Sequence, residues 1–456
     1  MKKLFGTDGI RGVAGVYPLD APTIYAVGLA LAHHLGASPR IVMGQDTRES
    51  SDEIAAMLTA GLVAGGASVE SAGVITTPAV AFLAAKHGFG AGIVISASHN
   101  PWQDNGIKLF GPDGYKLPDA TELAIEEEIF RRLNVPQPIL HDGLAKDGPP
   151  GMLGLMPAVN EEDRAEYVRF LLAAVPGLSL DNKRIVIDCA NGAASSVAAQ
   201  LFSDLGGTVV ITHGSPTGRN INEGCGALHP AVVAAEVLKH KADLGITFDG
   251  DADRALFADE HGTVVNGDAV LLLAARDLQE RGLLAGATVV ATTMSNMGLE
   301  AALKRSGIAM LRAPVGDKYV LEQMLATGAA LGGEQSGHII FTGRSTTGDG
   351  LLTALLLLDI IHRSGKSLGE LTADLKTFPQ VIVNVKVREK KPLDGILSVA
   401  AAIASAEMAL ADSGRVVIRY SGTEALARVM IEAESEELMR LHAEAIAGAI
   451  RTEIGV

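Results

Sequence analysis

The chain has 456 residues, with 38 Lys and Arg against 53 Asp and Glu, a net charge of −15 and no basic block. So acidic a chain is a poor partner for nucleic acid or an anionic membrane, and any anionic ligand must be met by local cations against the overall field. The length fits about three domains, and a hydrophobic content of 48% with only 4% aromatics leaves Val, Ile, Leu and Ala to pack them, which suits sheets covered by helices.

Met1-Lys2-Lys3 leads into Leu4-Phe5-Gly6-Thr7-Asp8, which lacks the apolar run of a secretory signal. Gly6 to Gly12 then presents Arg11 among glycines, a way to bring a fixed charge close to an anion. The predicted strand Arg40 to Gly44 runs into the turn Asp46-Thr47-Arg48 and an alanine-rich helix, Glu53 to Ala64. The same unit recurs twice: at Arg184 to Asp188 with Asn191-Gly192 and a helix over Ser196 to Leu205, and at Thr288 to Thr292 with Ser295-Asn296. Strands alternating with helices at this spacing predict α/β layers. A second strand in each unit ends in a polar loop: Ser96 to Asn105, Asp249 to Arg254, and Gly333 to His338. Open α/β sheets bind ligands at such strand ends.

Gly148-Pro149-Pro150-Gly151 reads as a linker, and Leu351 to Ile361, interrupted by Thr353 and Asp359, as a buried helix too short to span a bilayer. Past a boundary near Gly365 to Phe378 the pattern changes. Gln380 to Val387 alternates as a half-exposed strand, Arg415 to Arg419 and Ala427 to Ile431 add two more, and helices at about 392–410 and 435–451 complete a small α+β unit. The expected division is 1–150, 151–256, 257–370 and 371–456. Cys189 and Cys225 lie far apart in the sequence and make no metal pattern; no disulfide framework is expected, and a reducing cytoplasm fits.

The strand Ala91 to Ile95 feeds into Ser96-Ala97-Ser98-His99-Asn100-Pro101, where proline stops it, and Asn105-Gly106-Ile107-Lys108 follows. A hydroxyl, an imidazole and an ammonium at one strand end suit chemistry, although a polar turn with an exposed serine has the same composition. Asp249-Gly250-Asp251-Ala252-Asp253-Arg254 follows the apolar strand Leu244 to Phe248. Carboxylates at every second position, with small residues between, can curl around a hard cation such as magnesium holding a phosphate. A calcium loop of the EF-hand type shares the spacing, but Arg254 stands where that loop needs Gly. A phosphatase of the haloacid-dehalogenase type, with Asp249 as nucleophile, and a solvated acidic turn are the other readings.

Gly332-Gly333-Glu334-Gln335-Ser336-Gly337-His338 frames a carboxylate, a hydroxyl and an imidazole with glycines. Glu334 and Ser336 suit sugar hydroxyls or an amine, and His338 suits proton transfer near neutral pH; a polar hairpin is the plain alternative. Arg419-Tyr420-Ser421-Gly422-Thr423-Glu424 offers a guanidinium, hydroxyls and free amides as a phosphate cradle, with Arg428 adding charge, or else a surface turn.

These four motifs, in this order and across nearly the whole chain, resemble the α-D-phosphohexomutase family. The resemblance implies three similar α/β domains with mixed sheets and a smaller C-terminal α+β phosphate-binding domain, with one loop from each meeting in a central cleft. It implies Ser98 as the phosphoserine carrier, and Asp249, Asp251 and Asp253 as Mg2+ ligands together with the phosphate on Ser98. Glu334 and Ser336 become sugar readers, and Arg419, Ser421, Gly422 and Thr423 the binder of the distal phosphate. Lys108 and His338 become the proton-transfer candidates, and Arg11 and Arg254 the phosphate-facing arginines. His99 is then a structural or phosphate-contacting neighbour, and Lys318 and Arg344 are placed near substrate.

Phe5 to Gly12, Asn220-Ile221-Asn222 with Cys225-Gly226, Val315 to Val320, Gln335, and Phe378 to Val381 point to the amino-sugar branch of that family. Ala425 departs from it, standing where the family carries Pro; the exchange loosens the loop, because Pro pre-sets φ, but removes no ligand. The implied reaction interconverts glucosamine 6-phosphate and glucosamine 1-phosphate through a 1,6-bisphosphate, feeding UDP-N-acetylglucosamine synthesis. The implied partners are the hexosamine phosphate, a sugar-bisphosphate activator and a second copy of the chain as a homodimer. A phosphatase, a non-catalytic sugar-phosphate sensor, and a mutase preferring glucose or mannose phosphates are the competing readings.

Overall fold

The computed structural model describes residues 2–134, 157–421 and 425–456. The expected linker at Gly148 to Gly151 and the cradle residues Gly422 and Thr423 lie outside the described residues. The chain divides into two compact units, one of Met1–Met294 with Met310–Ala373, the other of Ser295–Ala309 with Asp374–Val456.

The first unit repeats one arrangement. A strand pairs in parallel with a second, fully buried strand, and a polar loop then turns the chain into an antiparallel neighbour. In the first sheet Arg40–Gln45 pairs with Ala91–Ile95, whose loop leads to Asp104–Phe110. In the second, Arg184–Asp188 pairs with Leu244–Phe248, whose loop leads to Ala255–Ala258. In the third, Thr288–Thr292 pairs with Leu331–Gly333, whose loop leads to Ile339–Phe341. All three sheets are therefore mixed. The middle strands are buried on both faces, which explains their apolar sequences, interrupted in the second only by Thr247. Aliphatic side chains from the strands of the first sheet and from the helices Ala21–Leu35, Ser51–Ala64 and Asp119–Leu133 form the core beside that sheet.

Local differences from the sequence reading have local causes. The first polar loop ends two residues early, because Asp104 and Asn105 pair with Val13 and Gly12 on the strand Gly9–Val13. The helix expected over Ser196 to Leu205 is a 3-10 turn, Ala193–Ser196, followed by Ala198–Asp204; Val197, at φ −130°, breaks the run. The apolar run Leu351 to Ile361 lies within the buried helix Gly350–Ser364.

In the second unit, Gln380–Lys386 and Gly414–Tyr420 flank Leu426–Ala433 in an antiparallel sheet. Helices Leu397–Leu410 and Glu436–Ile454 share a core with it through Val399, Val429, Ile431, Ile446 and Ile450. Asn296 fastens the separate segment of this unit: its Nδ2 donates to the Phe378 carbonyl at 3.0 Å, and its Oδ1 accepts from the Phe378 amide at 2.8 Å. Among the described residues no helix is long and apolar enough to cross a membrane.

The start of Gly350–Ser364 is pinned by a buried pair. Asp349 caps the helix by accepting from the Leu352 amide at 2.9 Å, and the Tyr167 hydroxyl donates to its other oxygen at 2.8 Å. Burial raises the Asp349 carboxyl to about 6 despite both bonds. A carboxyl with a raised folded pKa favours folding while it is protonated and loses that advantage as pH rises through the folded value. The rise from 3.8 to about 6 corresponds to about 3 kcal/mol at 1.36 kcal/mol per pH unit. Asp349→Asn keeps the cap without the charge. The stability of the native chain relative to this variant should therefore climb as pH falls from 7 to 4, read from paired denaturant melts; a pH-independent difference would refute the assignment.

Candidate active site

Ser98 lies just past the buried strand Ala91–Ile95, in the left-handed region at φ +52° and fully buried. Such backbone is uncommon outside glycine and persists where the surroundings enforce it. Here the Ser98 amide donates to Ser96 Oγ at 2.9 Å, and Ser96 Oγ donates to Asp46 at 2.6 Å. The buried Arg48 guanidinium bonds Asp46 at 2.8 Å and also donates to the carbonyls of Ser98 (2.9 Å), Asn100 (2.8 Å), Asp104 (2.9 Å) and Pro101. Asn222 Nδ2, from the second α/β segment, donates to the same Ser98 and Asn100 carbonyls at 2.9 and 3.1 Å. The polar turn Asp46-Thr47-Arg48 is thus the clamp of the serine loop.

The clamp aims Ser98 Oγ at Asp249, to which it donates at 2.6 Å. Asp249, Asp251 and Asp253 are buried, and one oxygen from each lies within 4.8 Å of the others. Gly250 is required between them, since a Cβ there would come within 2.4 Å of the Ser98 carbonyl. Thr77 holds Asp251 with its hydroxyl, at 2.5 Å, and its amide. Asp251 Oδ1 and Asp253 Oδ1 are buried without hydrogen-bond partners. Burial, then the like charges of Asp253 and Asp251, raises the Asp249 carboxyl well above the usual range. Two orphaned oxygens and a carboxylate strained by like charge fit a hard divalent cation, for which oxygen donors are the natural set.

Lys108, on the strand Asp104–Phe110, inserts its ammonium beside this cluster, 2.7 Å from Asp251, 3.4 Å from Asp253 and 3.0 Å from Asp8. Burial alone would lower its pKa, but Asp251, Asp8 and Asp253 outweigh burial and raise it well above normal. Burial would likewise lift Asp8, but Lys108, Lys116 and Arg11 hold it well below the carboxylate range.

His338 is buried between Asp253, at 3.6 Å from Nδ1, and Asp317, at 3.5 Å from Nε2. Burial opposes charging this ring, but Asp253, with Asp317 and Glu334, outweighs burial and raises its pKa. The Gly348 amide donates to Nε2 at 3.0 Å, which suits a neutral ring carrying its proton on Nδ1, towards Asp253. His99 Nδ1 lies 3.3 Å from Ser98 Oγ; burial, then Arg254 and Arg11, lowers its pKa to about 4. It is neutral at physiological pH.

A cleft of about 370 Å3 opens above this cluster. Asp8, Arg11, His99, Asp253, Arg254, Gly316, Asp317, Glu334 and His338 line it. The Nε atoms of Arg11 and Arg254 are buried without hydrogen-bond partners, which suits an anion in the cleft. Glu334 is oriented by the Gly316 amide at 3.1 Å and the Ser336 hydroxyl at 3.3 Å.

Four adjacent family models cover this architecture. They are the phosphoglucomutase/phosphomannomutase alpha/beta/alpha domains I, II and III, matching residues 2–135, 165–262 and 266–378, and the C-terminal domain, matching 382–449. The chain belongs to the phosphoglucomutase/phosphomannomutase family. It is 59% identical to a phosphoglucosamine mutase of Koribacter versatilis, covering 100% of this chain and 98% of that protein. It is 52% identical to one of Solibacter usitatus, covering 100% and 99%. Its fold is shared with a phosphoglucomutase/phosphomannomutase family protein of Burkholderia thailandensis, at TM-score 0.77, 23% identity and full coverage of both chains. It is also shared with an Aspergillus fumigatus N-acetylphosphoglucosamine mutase solved with GlcNAc-6P and magnesium, at TM-score 0.64, 22% identity and coverage of 99% and 96%.

Within this phosphoglucomutase/phosphomannomutase chain, the expected site residues of the first unit do not all converge. Lys318 does not line the cleft; its ammonium pairs with Asp119 beside a separate hollow. Arg344 lies away from the cleft too, donating to the Ala174 carbonyl at 3.0 Å beside Phe82 and Phe170. Gln335 turns aside and donates to Asp268 at 3.0 Å, so this marker residue supports the loop without facing the cleft. Arg419, Ser421 and Arg428 belong to the other compact unit, where Arg419 faces Arg428 across two strands and Lys390 donates to the Ser421 carbonyl at 2.6 Å.

Sequence reasoning missed Lys116, whose ammonium bridges Asp8 and Asp317 at 2.5 Å each. It also left Asp8 without a role; the signal was there in the loop that supplied Arg11. Arg48→Lys keeps the clamp's charge but not its forked geometry. The turnover number should fall about 100-fold with KM changed little, because the serine is misplaced while the cleft is intact; a pure KM effect in steady-state kinetics would contradict this role.

Proposed function

We propose that this chain interconverts glucosamine 6-phosphate and glucosamine 1-phosphate through a phosphorylated Ser98. The observation that carries the reading is the Ser98 hydroxyl held 2.6 Å from Asp249 in a triad of buried carboxylates, under a cleft lined by Arg11, Arg254 and Glu334. The glucosamine preference is supported by the full-length phosphoglucosamine mutase relatives at 59% and 52% identity.

In the proposed cycle the phosphoryl group passes from Ser98 Oγ to the free hydroxyl oxygen of the sugar phosphate. The P–O bond to serine breaks as the bond to the sugar forms. The bisphosphate reorients, and its other phosphoryl group returns to Ser98. Asp249, Asp251 and Asp253, with the phosphate on Ser98, would hold Mg2+, which supplies charge neutralisation on the phosphoryl oxygens. Of the two proton-transfer candidates Lys108 is held charged by Asp251, Asp8 and Asp253, which leaves His338, on the lining of the cleft, as the group proposed to take the hydroxyl proton. Arg11, Arg254 and His99 face the anionic substrate, and Glu334 and Ser336 read the sugar. Arg419, Ser421, Gly422, Thr423 and Arg428 bind the distal phosphate. A sugar-bisphosphate activator, assembly as a homodimer and a cytoplasmic location complete the proposal.

Ser98→Ala should lower turnover by at least about 1,000-fold with the melting transition preserved. Full activity without Ser98 would sink the phosphoserine route, and release of inorganic phosphate that survives the substitution would mark a phosphatase with Asp249 as nucleophile. Rates on glucosamine, glucose and mannose 6-phosphates, measured side by side, should favour glucosamine. A preference for mannose would overturn the substrate assignment while leaving the mutase chemistry standing.

A further inference from the structure

Asp188, His213 and Cys225 take no part in the phosphoryl chemistry, yet three separate segments bring them together. Asp188 ends the strand Arg184–Asp188, His213 follows the strand Thr208–Thr212, and Cys225 precedes the short turn Gly226–Leu228. One carboxylate oxygen, one ring nitrogen and the thiol sulfur lie within 4.8 Å of one another. Asp188 and Cys225 are fully buried, and His213 is partly exposed.

The group is built. Asp188 is oriented by two backbone amides, Ala190 on one oxygen and Gly226 on the other, each at 2.9 Å. The segments are tied by the Asn191 amide donating to the His213 carbonyl at 2.6 Å, and the Asn222 amide to the Ala190 carbonyl at 2.9 Å. His213 Nδ1 lies at ion-pair distance, 3.2 Å, from Asp188 Oδ1, yet it is buried without a hydrogen bond. A buried polar atom without a hydrogen bond calls for an explanation, and a bound ion supplies one.

We propose that Asp188, His213 and Cys225 form a second metal site, for a thiophilic divalent cation of the zinc class. One sulfur, one imidazole nitrogen and one carboxylate oxygen make a borderline-soft set that selects zinc or cobalt over magnesium, whereas the all-oxygen triad at Asp249 has the opposite preference. Three protein ligands leave a fourth tetrahedral position, which the partly exposed His213 side leaves open to water. Binding exchanges the Cys225 thiol proton for the metal and releases that proton to solvent. The wide spacing of the two cysteines in sequence conceals the site, because only Cys225 is a ligand.

The test is a cobalt(II) titration of the full-length, metal-free protein. A thiolate-to-cobalt charge-transfer band, saturating at one equivalent, is expected, and oxygen ligands cannot produce it. The band should persist in Asp251→Asn, which disables the acidic triad, and in Cys189→Ser. It should vanish in Cys225→Ser. His213→Ala, at a partly exposed position that folding tolerates, should weaken cobalt binding by at least the roughly 10-fold that loss of a mere supporting residue costs. No thiolate band in excess cobalt, or an unchanged affinity in His213→Ala, would overturn the site.

Discussion

Three carboxylates buried side by side repel one another, and this molecule is organised around keeping them together. Asp249, Asp251 and Asp253 follow a strand with no polar residue apart from Thr247; at Asp249 burial and the like charges of its neighbours both favour neutralisation, while Lys108 and His338 outweigh burial and hold Asp253 well below the carboxylate range. The compensating charges come from elsewhere: Lys108 from the first sheet, Arg254 from the loop itself, and Arg11 from the N-terminal hairpin. Unpaired, such a cluster would cost several kcal/mol per ion. Paired, it becomes a preorganised electrostatic surface on which a phosphoryl group can rest.

The cations reach the cluster from separate elements, and each is tied to a further carboxylate. Asp8 touches Arg11, Lys108 and Lys116; Lys116 reaches on to Asp317, and Asp317 to His338. The result is an alternating chain of charges around the cleft, which Arg11 and Arg254 line. An overall charge of −15 is therefore compatible with binding a phosphate.

What the sequence made legible was local. Ser98, the Asp triad and the Glu334 loop could be found because each follows an apolar strand and carries its unusual residues within a few positions. The α/β layers were legible for the same reason, whereas the mixed pairing within the sheets was implied only by the family resemblance. Residues whose role arises only from convergence were not. Lys116 meets Asp317 across 201 positions, and Asn222 meets Ser98 across 124. No periodicity encodes such pairings. Arg48 was visible in a turn, but its five carbonyl and carboxylate partners were not. Lys318 and Arg344 were placed by motif neighbourhood, and tertiary packing sends both side chains elsewhere.

The contact between Gly250 and the Ser98 carbonyl carries a consequence for biosynthesis. The serine belongs to the first sheet and the carboxylates to the second, so neither half holds a phosphoryl centre alone. During synthesis the amino-terminal sheet can form before the second has left the ribosome. Until the Asp249 loop docks, the serine is held by Ser96, Asp46 and Arg48 but lacks the carboxylate to which its hydroxyl donates.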